Sequence, residues 1–181
     1  PVPVVAVKKK LAEESVYEYN VSYDVEKKSS IVRASFNGDE ILAQDMSGKV
    51  IKDLTADLNQ DGDDELYLVV KNKVGTELYG FNFNDGKADD IGIVDSRKVL
   101  GIMKSGYKVE RGQLIHDYTM RDKDGKIKRG NSMFNLVKRN NALTLLPQGW
   151  KSGELKQMAG QYVHRGNPSS TLYKVMQVIP L

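Results

Sequence analysis

The most constraining feature of the sequence is a run near the N-terminus in which large apolar residues alternate with polar ones. Over residues 17–25, YEYNVSYDV, every odd position is apolar and every even position is polar. Successive side chains of a β-strand point to opposite faces, so this period of two predicts a strand with one buried face.

Turn-forming residues divide the rest of the chain into short apolar runs. The Asn37-Gly38 pair lies between two such runs and predicts a hairpin, because both residues tolerate a positive φ. Further strands are predicted around turns at 59–64, 84–86 and 122–125, whereas residues 95–104 are ambiguous and could hold one helical turn. Strands spaced at roughly 8 to 12 residues indicate an all-β fold, an antiparallel β-sandwich of about eight strands.

Composition divides the chain into two parts. Residues 16–146 carry the strand pattern and are predicted to form the sandwich domain. After them comes a linker-like stretch, then a predicted short helix at 154–159 and a last strand at 171–179. We therefore predict that residues 147–181 are a C-terminal extension packed on the sandwich, with Trp150 as its anchor.

The absence of cysteine limits what can hold such a sandwich together. It excludes disulfides, thiolate zinc sites, iron–sulfur clusters and thiol nucleophiles. Packing, hydrogen bonding and coordination of a hard cation remain. With 181 residues, 40% of them hydrophobic and 28% charged, the chain has the composition of a globular domain with a sizeable core.

The distribution of charge says more than its total. A net charge of +3 is small, and the basic residues lack the interleaved aromatics that stack bases, so no nucleic-acid partner is predicted. Acidic residues are concentrated within 53–65 and basic residues within 121–139. Such a separation can steer a charged partner, although two well-solvated loops would show the same pattern.

The N-terminal residues bear on localisation. The apolar stretch 1–7 does not begin with Met, and three lysines follow it, which reverses the order of charge and apolar region in a signal peptide. We expect a chain whose leader has been removed, hence a periplasmic or secreted protein. No apolar window approaches the length that spans a bilayer, so a transmembrane protein is not predicted.

The most specific local pattern is the acidic loop, residues 57–65, DLNQDGDDE. Its form, D-x-N-x-D-G-x-x-E, places oxygen ligands at alternate positions around a glycine, as calcium sites require. An EF-hand would have its closing glutamate where this chain has Leu68, so the loop is of a shorter kind found in β proteins. The predicted ligands of a structural Ca²⁺ are Asp57, Asn59, Asp61, the backbone carbonyl of Asp63, and Glu65. The alternative is a tight turn whose side chains bond their own backbone without an ion.

The order of features over residues 36–146 resembles the family of periplasmic inhibitors of i-type lysozyme, which are small bacterial β-sandwiches. The stretches that carry the resemblance are DLNQDGDDELYL at 57–68, VGTELYG at 74–80 and FNF at 81–83. In that family a loop bearing Ser, Gly and Tyr enters the active-site cleft of the lysozyme. The resemblance therefore implies an exported protein that inhibits a lysozyme by inserting a loop.

The residues carried over from this family are Gly75, Thr76 and Tyr79, which the resemblance places against the partner. The sequence departs from the family's pattern here. The expected Ser-Gly pair reads Val74-Gly75, and Tyr79 is spaced differently after it. A second interpretation of Tyr79 is a strand residue that shares one face with Phe81 and further aromatics.

Other classes of protein were weighed against an inhibitor. An enzyme is not predicted: the common hydrolase, protease and nucleotide-binding motifs are absent, and His116 beside Tyr118 is expected to pack in a strand. The second histidine, His164, lies in a loop-like stretch. Nine tyrosines and one tryptophan make a glycan partner the stronger rival. The alternative is therefore a calcium-stabilised carbohydrate- or protein-binding β-sandwich module with no inhibitory activity.

Overall fold

The structure, a computed structural model, describes residues 7–10, 17–95, 102–139, 141–148 and 162–164. Within these ranges the chain forms thirteen β-strands and no helix, which confirms the predicted all-β fold. In chain order the strands are β1 (Val7–Lys10), β2 (Tyr17–Asp24), β3 (Ser29–Phe36), β4 (Asp39–Ser47), β5 (Lys49–Ala56), β6 (Glu65–Asn72), β7 (Gly75–Asn84), β8 (Lys87–Asp95), β9 (Ile102–Glu110), β10 (Gln113–Arg121), β11 (Ile127–Arg139), β12 (Ala142–Pro147) and β13 (Tyr162–His164).

The strands are arranged in two sheets. One has four strands in the order β1-β2-β3-β4, and the other has the order β5-β6-β7-β8-β12-β11-β10-β9, with β13 added beside β8. All neighbours are antiparallel except β8 and β12, which are parallel, with Thr144 opposite Gly92. The strands outnumber the predicted eight partly because β1 is mostly lysine, Ser105-Gly106 interrupts the apolar pattern of β9, and β13 is very short.

The strand pairing extends beyond the predicted sandwich domain, residues 16–146, at both ends. β1 pairs with β2, so the first sheet begins before residue 16. β13 lies within the C-terminal extension and pairs with β8. The predicted helix at 154–159, the strand at 171–179 and Trp150 lie outside the described residues, as do residues 96–101 of the ambiguous segment.

The first core lies between the two sheets, where the four-stranded sheet packs on β6 and β7. Tyr79 faces this core together with Phe81 and Phe83, so the three aromatics share one face of β7 as the alternation predicted. The buried members from both sheets are Tyr17, Tyr19, Val32, Ala34, Met46, Leu66, Leu68, Val70, Tyr79, Phe81 and Phe83. This packing of sheet on sheet is the predicted sandwich.

The second core lies inside the larger sheet, which curls so that its first and last strands meet. Lys52 Nζ on β5 donates a hydrogen bond of 2.9 Å to the carbonyl of Tyr107 on β9. The residues enclosed by the curl are Tyr67, Val69, Leu78, Ile91, Ile93, Tyr107, Leu114, Phe134 and Leu145. β6 is therefore buried on both faces, which explains its nearly continuous apolar sequence.

The two sheets are joined at Gly48, between β4 and β5; we call this point the sheet junction. Gly48 has a φ of 113°, and a Cβ there would lie 2.5 Å from the carbonyl oxygen of Lys71. The hydroxyl of buried Ser30 donates to the Gly48 carbonyl at 2.8 Å and accepts from Val50 N at 3.1 Å. Gly48 N donates to the carbonyl of Lys28 at 3.0 Å. The junction thus holds the β2–β3 turn beside the β6–β7 hairpin.

Two predicted hairpins are confirmed. Asn37 and Gly38 have φ values of 52° and 87°, and β3 pairs with β4 across them. β10 and β11 form the predicted ribbon, with Arg121 opposite Ile127.

In the part of the chain that the structure describes, no helix is long and apolar enough to cross a membrane.

Candidate functional site

The acidic loop connects β5 to β6. Its ends are held together because Ala56 and Glu65 are paired across the two strands. Gln60 and Gly62 adopt positive φ values of 59° and 98°, which reverse the chain within the loop. A Cβ on Gly62 would meet nothing within 4 Å, so the backbone conformation rather than the available space favours glycine there.

Side chains of the loop bond its backbone, as the ion-free alternative predicted. Asp57 Oδ1 accepts from Asp61 N at 3.1 Å, and its Oδ2 accepts from Gly62 N at 3.0 Å. Asn59 Oδ1 also accepts from Asp61 N, at 3.1 Å, and Asp61 Oδ1 accepts from Asp63 N at 3.0 Å. Each of these oxygens has a second lone pair, so the bonds fix the carboxylates without exhausting their capacity as ligands.

Three of the predicted ligands converge. Carboxylate oxygens of Asp57, Asp61 and Glu65 all lie within 4.8 Å of one another. Two oxygens bound to one Ca²⁺ at 2.3–2.6 Å can be at most about 5.2 Å apart, so these separations fall within the range expected for ligands of one ion. Asn59 lies beside them, where its Nδ2 donates to Asp61 Oδ2 at 3.0 Å. The backbone carbonyl of Asp63 stays a predicted ligand.

Glu65 is the unusual member of this group because it is fully buried, with 0% of its surface exposed. Its Oε2 accepts a hydrogen bond of 2.7 Å from Leu58 N, but its Oε1 is buried without a hydrogen-bond partner. The hydroxyl of Tyr67, two residues along the strand on the same face, is buried next to Glu65 and interacts with it, although neither this hydroxyl nor Oε1 makes a well-formed hydrogen bond. A buried carboxylate with an unbonded oxygen is unfavourable, and a cation in the loop would stabilise it.

Burial raises the pKa of Glu65, the hydrogen bond from Leu58 N opposes this rise, and the charges of Asp57, Asp61 and Asp64 add to it, so that the pKa reaches about 8. Burial also raises the pKa of Tyr67, with the nearby Glu65 as the next cause, so its phenol stays neutral. A divalent cation would counteract the effect on Glu65, because it stabilises the ionised carboxylate.

The donor set fits calcium better than other common metals. All the converging atoms are oxygens, which hard cations prefer, and neither sulfur nor imidazole is among the predicted ligands. Calcium takes six to eight oxygens in flexible geometry, so three carboxylates and the Asn59 amide leave positions for backbone carbonyls and water. Magnesium requires a stricter octahedron at shorter distances and keeps more of its water.

The residues carried over from the lysozyme-inhibitor family do not form a loop. β7 begins at Gly75, and Thr76 pairs with Lys71 on β6. Contact of Tyr79 with a partner stays a prediction, and its side chain is only 2% exposed. The reason is the alternation of β7, which turns this tyrosine into the core between the sheets. The exposed tip of the hairpin is Val74, 79% exposed.

His116 lies inside the curled sheet and is 3% exposed. Its ring stacks on Tyr107 with centroids 4.6 Å apart and an interplanar angle of 9°, and it meets Tyr118 at 5.1 Å, as predicted. Its Nε2 lies 2.9 Å from Ser105 Oγ. The second histidine, His164, falls in β13, where only the backbone is described.

A further surface feature is not apparent from the sequence. It is an open groove of about 730 Å³ where the β2–β3 turn, the sheet junction and the β6–β7 hairpin meet. We call it the lysine groove, because its lining includes Lys27, Lys28, Lys49, Lys71 and Lys73. These lysines come from three separate segments, so no local charge run reveals them.

The fold and the acidic loop define a class: an all-β protein with an inter-strand loop in which three carboxylates converge. A scan of protein-family models and searches of curated proteins and of solved structures find no match to the chain. The resemblance to the lysozyme-inhibitor family therefore stays a prediction, and the functional argument rests on the site.

Proposed function

We propose that this chain is a non-enzymatic, exported binding module whose fold is stabilised by one Ca²⁺ ion in the acidic loop. The observation that carries the proposal is the environment of Glu65. Its carboxylate is fully buried, has one oxygen without a hydrogen bond, and places an oxygen within 4.8 Å of carboxylate oxygens of Asp57 and Asp61. An ion at this point would stabilise the ionised form of Glu65 beside the carboxylates of Asp57 and Asp61.

The position of the loop explains why an ion there would stabilise the fold. The loop closes the β5–β6 pair, and Asn59 Nδ2 reaches Asn82 Oδ1 on β7 at 3.3 Å. An ion held by the loop therefore ties together the ends of three adjacent strands. In a chain without cysteine, such a cross-link does the work that a disulfide does in many exported domains.

Two further observations support a binding role. His116 is stacked and buried as a core residue, and the clustered carboxylates have the spacing of metal ligands rather than of an acid and base across a cleft. Asp61 is exposed, which favours a site of modest affinity. Calcium sites of extracellular modules bind at about 10⁻⁴ to 10⁻³ M, so such a site would be filled outside the cytosol.

Calorimetry with calcium after chelation tests this proposal. We expect one Ca²⁺ to bind, and at a hundred times the dissociation constant it should add about 2.7 kcal/mol to the free energy of unfolding. For a chain of this size that corresponds to a rise in Tm of roughly 5 to 10 °C. Asp61→Asn should lose most of the heat, whereas Asp85→Asn, in the β7–β8 turn, should keep it. No heat and an unchanged Tm in the wild type would reject the site.

Lysozyme inhibition is a second candidate, in a form that the structure modifies. The inserted element would be the tip of the β6–β7 hairpin, where Val74 is exposed and Gly75 has a φ of 135°. The tip is rigid: the amides of Val74 and Gly75 donate to Asn72 Oδ1 at 2.9 and 3.2 Å. Lys71 and Lys73 flank it, and their charges suit a cleft lined by catalytic carboxylates.

The double variant Val74→Asp with Thr76→Ala is expected to weaken inhibition of an i-type lysozyme by at least about tenfold, because it places a carboxylate at the centre of the contact. The matched control is Val25→Asp, an equivalent change at another exposed valine, 51% exposed in the β2–β3 turn. Equal inhibition by the wild type and the double variant, or no inhibition by the wild type, would reject lysozyme inhibition through the hairpin tip. Neither result would affect the calcium proposal.

A further inference from the structure

We propose that the lysine groove is a binding site for a linear anionic polysaccharide, one that carries sulfate or carboxylate groups along its chain. The inference rests on the proposed binding role, for which it names a ligand class. It uses none of the residues of the acidic loop, so the two sites can be tested separately.

The charges of the groove are predominantly positive, five lysines against one glutamate. The side chains of Lys27, Lys28, Lys49, Lys71 and Lys73 are exposed and line one concavity. Across the described ranges, none of the five takes part in an ion pair. The acidic residue of the lining, Glu77, is 7% exposed and accepts a hydrogen bond of 3.0 Å from Asn72 Nδ2. Like charges gathered in a concavity raise the local potential and attract a polyanion.

The groove is built on a fixed framework. Its floor is the sheet junction, where Gly48 lets β5 pass against the backbone of Lys71. Asn72 Nδ2 lies 3.4 Å from the carbonyl of Ser47, and its Oδ1 holds the turn of the β6–β7 hairpin. Walls that are held by backbone contacts lose little conformational entropy when a ligand binds, so the site is preorganised.

The chemistry of the lining favours a glycan. Its cations are lysines, which act as point charges and do not supply the bidentate fork by which arginine grips a single phosphate. The aromatic residue of the lining is Tyr23, and Lys49 Nζ lies over its ring, 5.6 Å from the centroid. Single-stranded nucleic acids are instead bound by successive aromatic rings. A volume of about 730 Å³ falls within the range of ligand sites, ~300–1,000 Å³.

A second concavity shows by contrast what is specific to the lysine groove. It has a volume of about 580 Å³ and lies on β9, β10 and β11. There Lys104 and Arg129 share the lining with Asp117, so positive and negative charges are mixed. The ring of Tyr118 covers Gly130, where a Cβ would lie 2.5 Å away. This arrangement is that of an aromatic residue protecting a strand glycine, and the two cations exceed the one acid by a single charge, against five lysines and one glutamate in the lysine groove.

The test is binding of size-defined heparin oligosaccharides, polygalacturonate, neutral dextran and a single-stranded DNA oligomer to the full chain in saturating calcium. We expect heparin or polygalacturonate to bind with an affinity that falls as salt rises, and dextran not to bind. Lys27→Glu with Lys49→Glu should weaken this binding by at least about tenfold. The control, Lys123→Glu with Lys126→Glu, makes the same change in net charge on the β10–β11 turn and should alter binding less than about twofold.

Three outcomes would overturn the proposal: no binding of either anionic glycan, equal losses in the two double variants, or DNA bound more tightly than heparin. Calcium-dependent melting of the same samples separates this result from the proposed function. A rise in Tm with calcium but no glycan binding rejects the groove alone. Glycan binding without a rise in Tm rejects the calcium site alone.

Discussion

In saturating calcium, the Glu65→Gln variant is expected to be less stable than the wild type by about 2 to 3 kcal/mol, because it loses the ligand that closes the ion site. In chelator at pH 8.5 the order should reverse, and the variant should be at least as stable as the wild type. Glutamine keeps the size of the side chain, accepts the bond from Leu58 N and removes a buried charge. Its new N–H₂ group can donate to the Tyr67 hydroxyl, which is buried next to it. Urea unfolding in the two buffers measures both differences.

The pH dependence of the calcium-free wild type follows from the same residue. The pKa of Glu65 is about 8 in the folded protein against 4.5 ordinarily, so between these values the folded state keeps a proton that the unfolded chain releases. The stability associated with this proton is therefore fully present below pH 4.5 and lost as the pH rises through about 8. Glu65→Gln should flatten this slope, and so should calcium.

Two results would contradict this account of Glu65. One is a variant that still gains the full rise in Tm with calcium, which would show that the residue is not a ligand. The other is a free energy of unfolding that does not fall between pH 5 and pH 8 when the wild type is free of calcium. The control variant Asp85→Asn should show the same pH dependence as the wild type. The second result would mean that the buried carboxylate finds a partner when no ion is bound.

The features that could be predicted from the sequence are determined by residues that lie close together in the chain. The alternation of β2, the Asn37-Gly38 hairpin and the three converging carboxylates all follow from residue types a few positions apart. The acidic loop was recognisable because its ligands fall within nine residues, 57–65. Its key physical property, the burial of Glu65, was not recognisable, because it arises only when the larger sheet curls over the start of β6.

The features that the sequence did not reveal depend on contacts between distant segments. The lysine groove is assembled by the sheet junction from a turn and a hairpin far apart in the chain. The misplacement of Tyr79 has a related cause. The segment that carries it reads as a glycine-containing loop, but the turn occupies only Lys73 and Val74, and pairing with β6 resumes at Gly75. The part of this segment that is exposed is therefore the hairpin tip rather than Tyr79, and the proposed partner contact is placed there.

Gly48→Ala is expected to lower the free energy of unfolding by about 3 kcal/mol or more, because the added Cβ brings both backbone strain and a steric clash. Its φ of 113° lies in a region that residues with a Cβ rarely adopt. The new Cβ would lie 2.5 Å from the carbonyl oxygen of Lys71 and 2.9 Å from Asn72 Cβ, so the β6 backbone itself would have to move. The matched control is Gly38→Ala, with a φ of 87° and nothing within 4 Å of the added Cβ. Gly38→Ala therefore introduces only the backbone strain, which should lower the free energy of unfolding by about 1 to 2 kcal/mol.

Urea unfolding and calcium titration of the two variants distinguish the contribution of the sheet junction to stability from that of the acidic loop. Gly48→Ala should lose far more stability than Gly38→Ala, and it should displace the β6–β7 hairpin from the β2–β3 turn, which widens the lysine groove. Calcium should still raise the Tm of both variants, because the acidic loop lies at the opposite end of the β5–β6 pair. Equal destabilisation by the two alanines would show that the close approach at Gly48 is not what holds the two sheets together.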